Sequence, residues 1–177
     1  ERITAGAGRV APLCPSTWTL HLPCSLNSTD KNSITMWQHR AKAGLSALLE
    51  KTGLLPEAIS VENLGYPPEW LDPVIRELDL SFCLDIGHLI EHGFGPEKYF
   101  NLFRDRITIV HLYGGVKAGR GHLGLDRLAP KHAPFISAML REFSGIVSLE
   151  VFSRKDLIES LKALENLVCP GSVNTCE

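Results

Sequence analysis

Five short apolar runs in this 177-residue chain each end on a side chain able to bind a metal ion. They are Trp18-Thr19-Leu20-His21, Ile59-Ser60-Val61-Glu62, Phe82-Cys83-Leu84-Asp85, Ile107-Thr108-Ile109-Val110-His111 and Ile146-Val147-Ser148-Leu149-Glu150. Carboxylates and imidazoles delivered from separate strands suit a divalent cation with open positions for an oxygen-rich substrate or water. Glu62, Asp85, His111 and Glu150 make the central set. Each follows a run that buries its backbone, and a buried carboxylate is costly unless it is paired or ligated. The pattern points to a metal-dependent enzyme.

Residues beside these five extend the set. In Asp85-Ile86-Gly87-His88 a glycine turn lets a carboxylate and an imidazole face one pocket. His122, in the glycine-rich Gly119-Arg120-Gly121-His122, is placed to approach His88, and His21 stands just before a strand-breaking Pro23. Arg120 suits an anionic substrate group through a bidentate fork. Asn63 and Tyr66 follow Glu62 and would line the same rim, and Tyr113 would stack on a planar ligand. His39, His92 and His132 lack such partners and read as structural.

Helical patterns separate the strands, which predicts parallel β/α units with catalytic side chains at the strands' C-terminal ends. The spacing predicts helices over 34–51, 67–77, 96–103, 134–143 and 155–167. It predicts strands over 18–22, 58–64, 81–85, 107–112 and 146–152, with a glycine-rich loop over 114–124. The fold class is therefore α/β, of the (β/α)8 barrel type, but incomplete. Five β/α units are visible, whereas a closed eight-stranded barrel takes about 250 residues. Residues 1–16 read as a loose N-terminal segment, 17–168 as the barrel-like domain and 169–177 as a tail.

The chain is 44% hydrophobic and 21% charged, with a net charge of -2. That balance gives no long-range attraction to nucleic acid, and no apolar run is long enough to span a membrane. Five cysteines, odd in number and without a CxxC pair, fit a reducing, cytoplasmic setting. Open strand edges would favour self-association.

The wording of these segments resembles the xylose-isomerase-like TIM-barrel superfamily. Val61-Glu62-Asn63-Leu64-Gly65-Tyr66-Pro67, Cys83 to His88, Gly119 to Leu123 and Leu149 to Ser153 are similar to the CbiR cobamide-remodelling phosphodiesterases. The resemblance implies a divalent cofactor (Zn, Mn, Fe or Co) held by Glu62, Asp85, His111 and Glu150. His21, His88 and His122 would extend the site toward further ions. It implies hydrolysis of the phosphoester in the cobamide nucleotide loop, with Glu62, Glu150 and His88 as catalytic residues and a small-molecule phosphoester, a cobamide, as partner. A sugar or sugar-phosphate isomerase or epimerase is the alternative, with Glu62 and Glu150 as the acid/base pair. A truncated, impaired relative is a further alternative. Two departures stand out: Gly121 replaces the aspartate that precedes the loop histidine in the family, and the first barrel strands are missing.

Overall fold

The computed structural model describes residues 11–26, 29–117 and 121–169. Five strands form one sheet in the order β1 (Trp18–His21), β2 (Ile59–Glu62), β3 (Ser81–Asp85), β4 (Ile107–Leu112) and β7 (Ile146–Leu149). The first two pairings are parallel, with His21 opposite Glu62 and Glu62 opposite Cys83. Helices α1 (Lys31–Thr52), α2 (Asp72–Glu77), α3 (Ile86–Glu91), α4 (Pro96–Leu102), α5 (Ala133–Glu142) and α6 (Arg154–Val168) alternate with the strands. This is the parallel β/α architecture expected from the sequence. The described chain divides into two compact units, one of residues up to Leu84 with Lys98–Ile109, the other of Asp85–Glu97 with the residues from Val110 onward.

In the first unit, β2 is buried along its whole length, as is the part of β3 that lies in this unit. Unbroken burial is why their sequences read as continuous apolar runs rather than alternating ones. Phe82 stacks on Phe103 at 4.0 Å between ring centres, and Leu71, Val74 and Ile75 bury the inner face of the α2 region. The Ser60 hydroxyl of β2 hydrogen-bonds both Thr17, just before β1 (2.9 Å), and Thr108 of β4 (2.5 Å), which satisfies three hydroxyls together. Asp30 caps α1 by accepting from the amides of Asn32 and Ser33, and Gly53 closes the helix at φ 64°. The left-handed conformation there favours glycine.

In the second unit, Val110, Leu112, Leu125, Ile136 and Met139 are buried. Ser160 of α6 accepts the Leu125 amide at 2.9 Å, which fixes the chain after the loop of His122. Ser153 caps α6 by accepting from the Asp156 amide at 3.0 Å.

Several element boundaries differ from the sequence reading for local reasons. The helix placed over 34–51 begins at Lys31, because Asp30 supplies an N-cap ahead of the first apolar position. The segment 67–77 is a 3-10 turn (Pro68–Trp70) followed by the separate α2, with Pro73 in its first turn. The glycine-rich loop contains a two-stranded antiparallel hairpin, β5 (Val116–Lys117) and β6 (Gly121–His122). The last strand stops at Leu149 rather than reaching Phe152. Ala11–Leu13 forms a 3-10 turn; residues 1–10, and of the tail all but Cys169, lie outside the described residues.

Candidate metal centre

The first unit carries two of the ligands foreseen from the sequence. Glu62 ends β2 with 1% of its surface exposed, and its Oε2 lies 3.0 Å from Nε2 of His21, at the end of the adjacent β1. The parallel register that sets His21 opposite Glu62 makes this pair. Asn63 is buried beyond Glu62, its amide donating to the Cys83 carbonyl at 3.4 Å. The Tyr66 hydroxyl donates to the Leu22 carbonyl at 2.8 Å, and its ring packs edge-on against Trp37. Burial, then the neighbouring Cys24, pushes the Tyr66 phenol well above the ordinary tyrosine range. Tyr66 therefore stays protonated and keeps that bond.

The second unit brings five foreseen side chains together: Asp85, His88, His111, His122 and Glu150. Asp85 ends β3 with its carboxylate fully buried. Its Oδ1 accepts the His88 amide at 2.7 Å and so caps α3. Its Oδ2 faces Nδ1 of His111 at 3.8 Å and Nδ1 of His88 at 3.6 Å. His111 Nδ1 in turn lies 3.1 Å from Oε1 of Glu150. One ligand atom each from Asp85, His111 and Glu150 falls within a span of 4.8 Å.

Glu150 follows β7, and its amide donates to the Leu112 carbonyl of β4 at 3.1 Å. His122, on β6, lies with Nδ1 3.1 Å from the Glu150 carbonyl oxygen and 3.5 Å from its Oε2. Donation from Nδ1–H to that carbonyl assigns the tautomer and leaves the Nε2 lone pair for a ligand bond. Tyr113, just past β4, is 1% exposed, and its ring stacks on His122 at 3.8 Å with an interplanar angle of 5°. Burial and then the Asp85 charge raise its phenol far above the usual tyrosine value.

These donors fit a divalent cation. Two donors bound tetrahedrally at about 2.1 Å from one ion sit roughly 3.4 Å apart. The 3.1 and 3.8 Å separations around His111 Nδ1 bracket that value. A buried carboxylate facing an imidazole across a gap too long for a hydrogen bond is the arrangement a cation would draw together. Mixed oxygen and nitrogen donors suit zinc, manganese, iron or cobalt alike.

Two shaping residues escaped the sequence reading. A Cβ on Gly87 would lie 2.0–2.5 Å from three ring carbons of Tyr113, so only glycine admits that ring. Phe152 is 78% exposed, with its ring 5.3 Å from that of His122. Phe152 lies two residues after Glu150, past the end of β7, where the Val151 amide turns back to the Leu149 carbonyl at 3.2 Å. Gly121 has φ 71°, and a Cβ there would meet the Phe152 ring at 3.3 Å. The departure from the family aspartate thus coincides with left-handed backbone and close aromatic contact. Arg120 lies outside the described residues.

No protein-family model matches the chain, and no curated protein sequence does. Solved structures do. A xylose isomerase domain protein from Planctomyces limnophilus aligns with 94% of this chain and 63% of its own, at TM-score 0.69 and 13% identity. The IOLI protein with a bound zinc atom aligns over 94% and 68% of the two chains, at TM-score 0.68 and 16% identity. The TTHB071 protein from Thermus thermophilus, soaked with zinc chloride, aligns over 96% and 68%, at TM-score 0.67 and 25% identity. The chain thus spans just under two thirds of the first of these proteins. The fold is α/β of the TIM-barrel type, present here as a part with five main strands.

Proposed function

We propose that this chain carries the metal centre of a divalent-metal-dependent enzyme that isomerises or epimerises a sugar-like hydroxycarbonyl substrate. The observation that carries the reading is the convergence of Asp85, His111 and Glu150 at the C-terminal ends of their strands. Names among the similar folds support it, since they include a xylose isomerase domain protein, a sugar phosphate isomerase/epimerase and a D-allulose 3-epimerase.

Asp85 and His111 hold the ion, being the most deeply buried of the three. When bound, the ion would polarise the substrate's carbonyl and hydroxyl oxygens and acidify the carbon between them. Glu150 takes the proton: its side chain is 29% exposed, so it meets both substrate and solvent. The C–H electron pair moves into the enediolate as the carbonyl oxygen takes the charge. Glu150, now a carboxylic acid, returns its proton to the neighbouring carbon while the hydroxyl proton passes to the former carbonyl oxygen. For epimerisation, solvent protonates the opposite face and Glu150 gives its proton up to solvent. His122 fixes Glu150 from its backbone carbonyl.

Incubating the metal-loaded protein with a panel of ketoses and aldoses in D2O tests the assignment. Deuterium at the carbon beside the carbonyl is the expected result. Absence of exchange across the panel would reject it.

One observation favours a second reading. The second unit offers three imidazoles and two carboxylates, more donors than one ion needs, with His88 and His122 rings 6.1 Å apart. Donors for more than one ion suit a phosphodiesterase, in which activated water attacks phosphorus and the alkoxide leaves. The substrate on this reading is the cobamide nucleotide loop. Release of a loop fragment from adenosylcobalamin, without deuterium exchange into any sugar, would select it over the first. No helix among the described residues is long and apolar enough to cross a membrane.

A further inference from the structure

One side chain touches several members of the second-unit cluster without being a ligand candidate itself. The Tyr113 ring lies flat on His122 at 3.8 Å and edge-on to His88 at 6.1 Å and 80°. Its hydroxyl is buried and has no hydrogen-bond partner among the described residues. Its place depends on Gly87, where any Cβ would fall inside the phenol ring's contact distance. Gly87 lies between Asp85 and His88, so the turn that joins two ligand candidates also makes room for the ring.

We propose that Tyr113, seated by Gly87, is a positioning residue of the metal centre, its ring setting the plane of His122. Ligand orientation by neighbouring groups is a general determinant of metal affinity. A flat stack at 5° allows His122 to slide but resists tilting, so the direction of its Nε2 lone pair is held.

This role rests on the centre binding a cation, and its test separates the two ideas. Zinc affinity of the whole chain is measured by competition with a chromogenic chelator, and the visible spectrum of the cobalt-loaded protein is recorded at saturation. Tyr113→Leu removes the flat ring; Gly87→Ala displaces it. Each variant is expected to bind zinc about 10–100-fold more weakly, with altered cobalt bands. A merely structural role would move the melting temperature but leave the cobalt spectrum of the saturated protein unchanged. Should Gly87→Ala fail to fold, Tyr113→Leu alone decides. Wild-type-like affinity and spectrum in folded Tyr113→Leu would overturn the positioning role and leave the centre standing. Wild-type protein that binds no zinc at micromolar concentration would overturn both.

Discussion

β2 and β7 are both four-residue strands that deliver a glutamate at their C-terminal ends, yet they bury it to different depths. β2 lies inside the sheet order, between β1 and β3, and every residue of it is buried. β7 ends the order with one neighbour, and its first residue, Ile146, is exposed. Glu62 accordingly sits at 1% exposure, while the Glu150 side chain keeps 29%. An interior strand makes an anchor, because a desolvated carboxylate must keep a partner. An edge strand leaves its carboxylate able to meet water and exchange a proton. The same residue type, at the ends of two strands, meets two different environments.

The sharpest way to break this comparison is at Glu150. Glu150→Gln should lower proton exchange into substrate by about 10²–10⁴-fold. Metal content after dialysis should fall less than in Asp85→Asn, and comparable metal loss in both variants would contradict the division of labour. Strand stability comes next. Ile59→Ala in β2 should cost about 2–5 kcal/mol by urea denaturation. Ile146→Ala in β7, already 42% exposed, should cost under about 1 kcal/mol. Equal costs would show that the two strands are not different environments.

Gly121→Asp sets an aspartate against a φ of 71° and the Phe152 ring. It should destabilise the chain by about 1 kcal/mol, read as a lower melting temperature. A stabilised variant with tighter zinc binding would mean that the aspartate finds a ligand position here. The smallest effect is expected far from the rim, where Arg76 hydrogen-bonds Asp105 and holds its carboxyl below the usual carboxylate range. A lowered pKa contributes stability above the unfolded value, and that contribution is lost as pH falls through the folded value. Arg76→Ala should therefore cost less than about 1 kcal/mol at neutral pH, with the deficit vanishing in acid. Melting curves across that range check the sign.

The sequence reading succeeded where burial was continuous. β3 and β4 were placed at their observed limits, Ser81–Asp85 and Ile107–Leu112, runs that are buried almost throughout. It failed where an element depends on a capping contact. α3 was missed because Ile86–Glu91 carries a glycine and takes its N-cap from Asp85, a residue already read as a strand end. The β5–β6 hairpin was missed because two-residue strands leave no period to detect. The overrun of β7 to Phe152 has a similar source: Val151 and Phe152 are apolar, and nothing local marks the turn that exposes Phe152. At the site, the side chains that cluster were legible from strand ends. The Tyr113–His122 stack and its dependence on Gly87 were not, since both follow from packing between segments distant in sequence.

The two oxygens of Asp85 have separate employment, one holding the His88 amide and the other facing His111. A carboxylate tied on one side cannot swivel, so the corner between β3 and α3 keeps its shape with or without a guest. An arriving cation would find its seat already built, and a chelator that strips it would leave the corner standing.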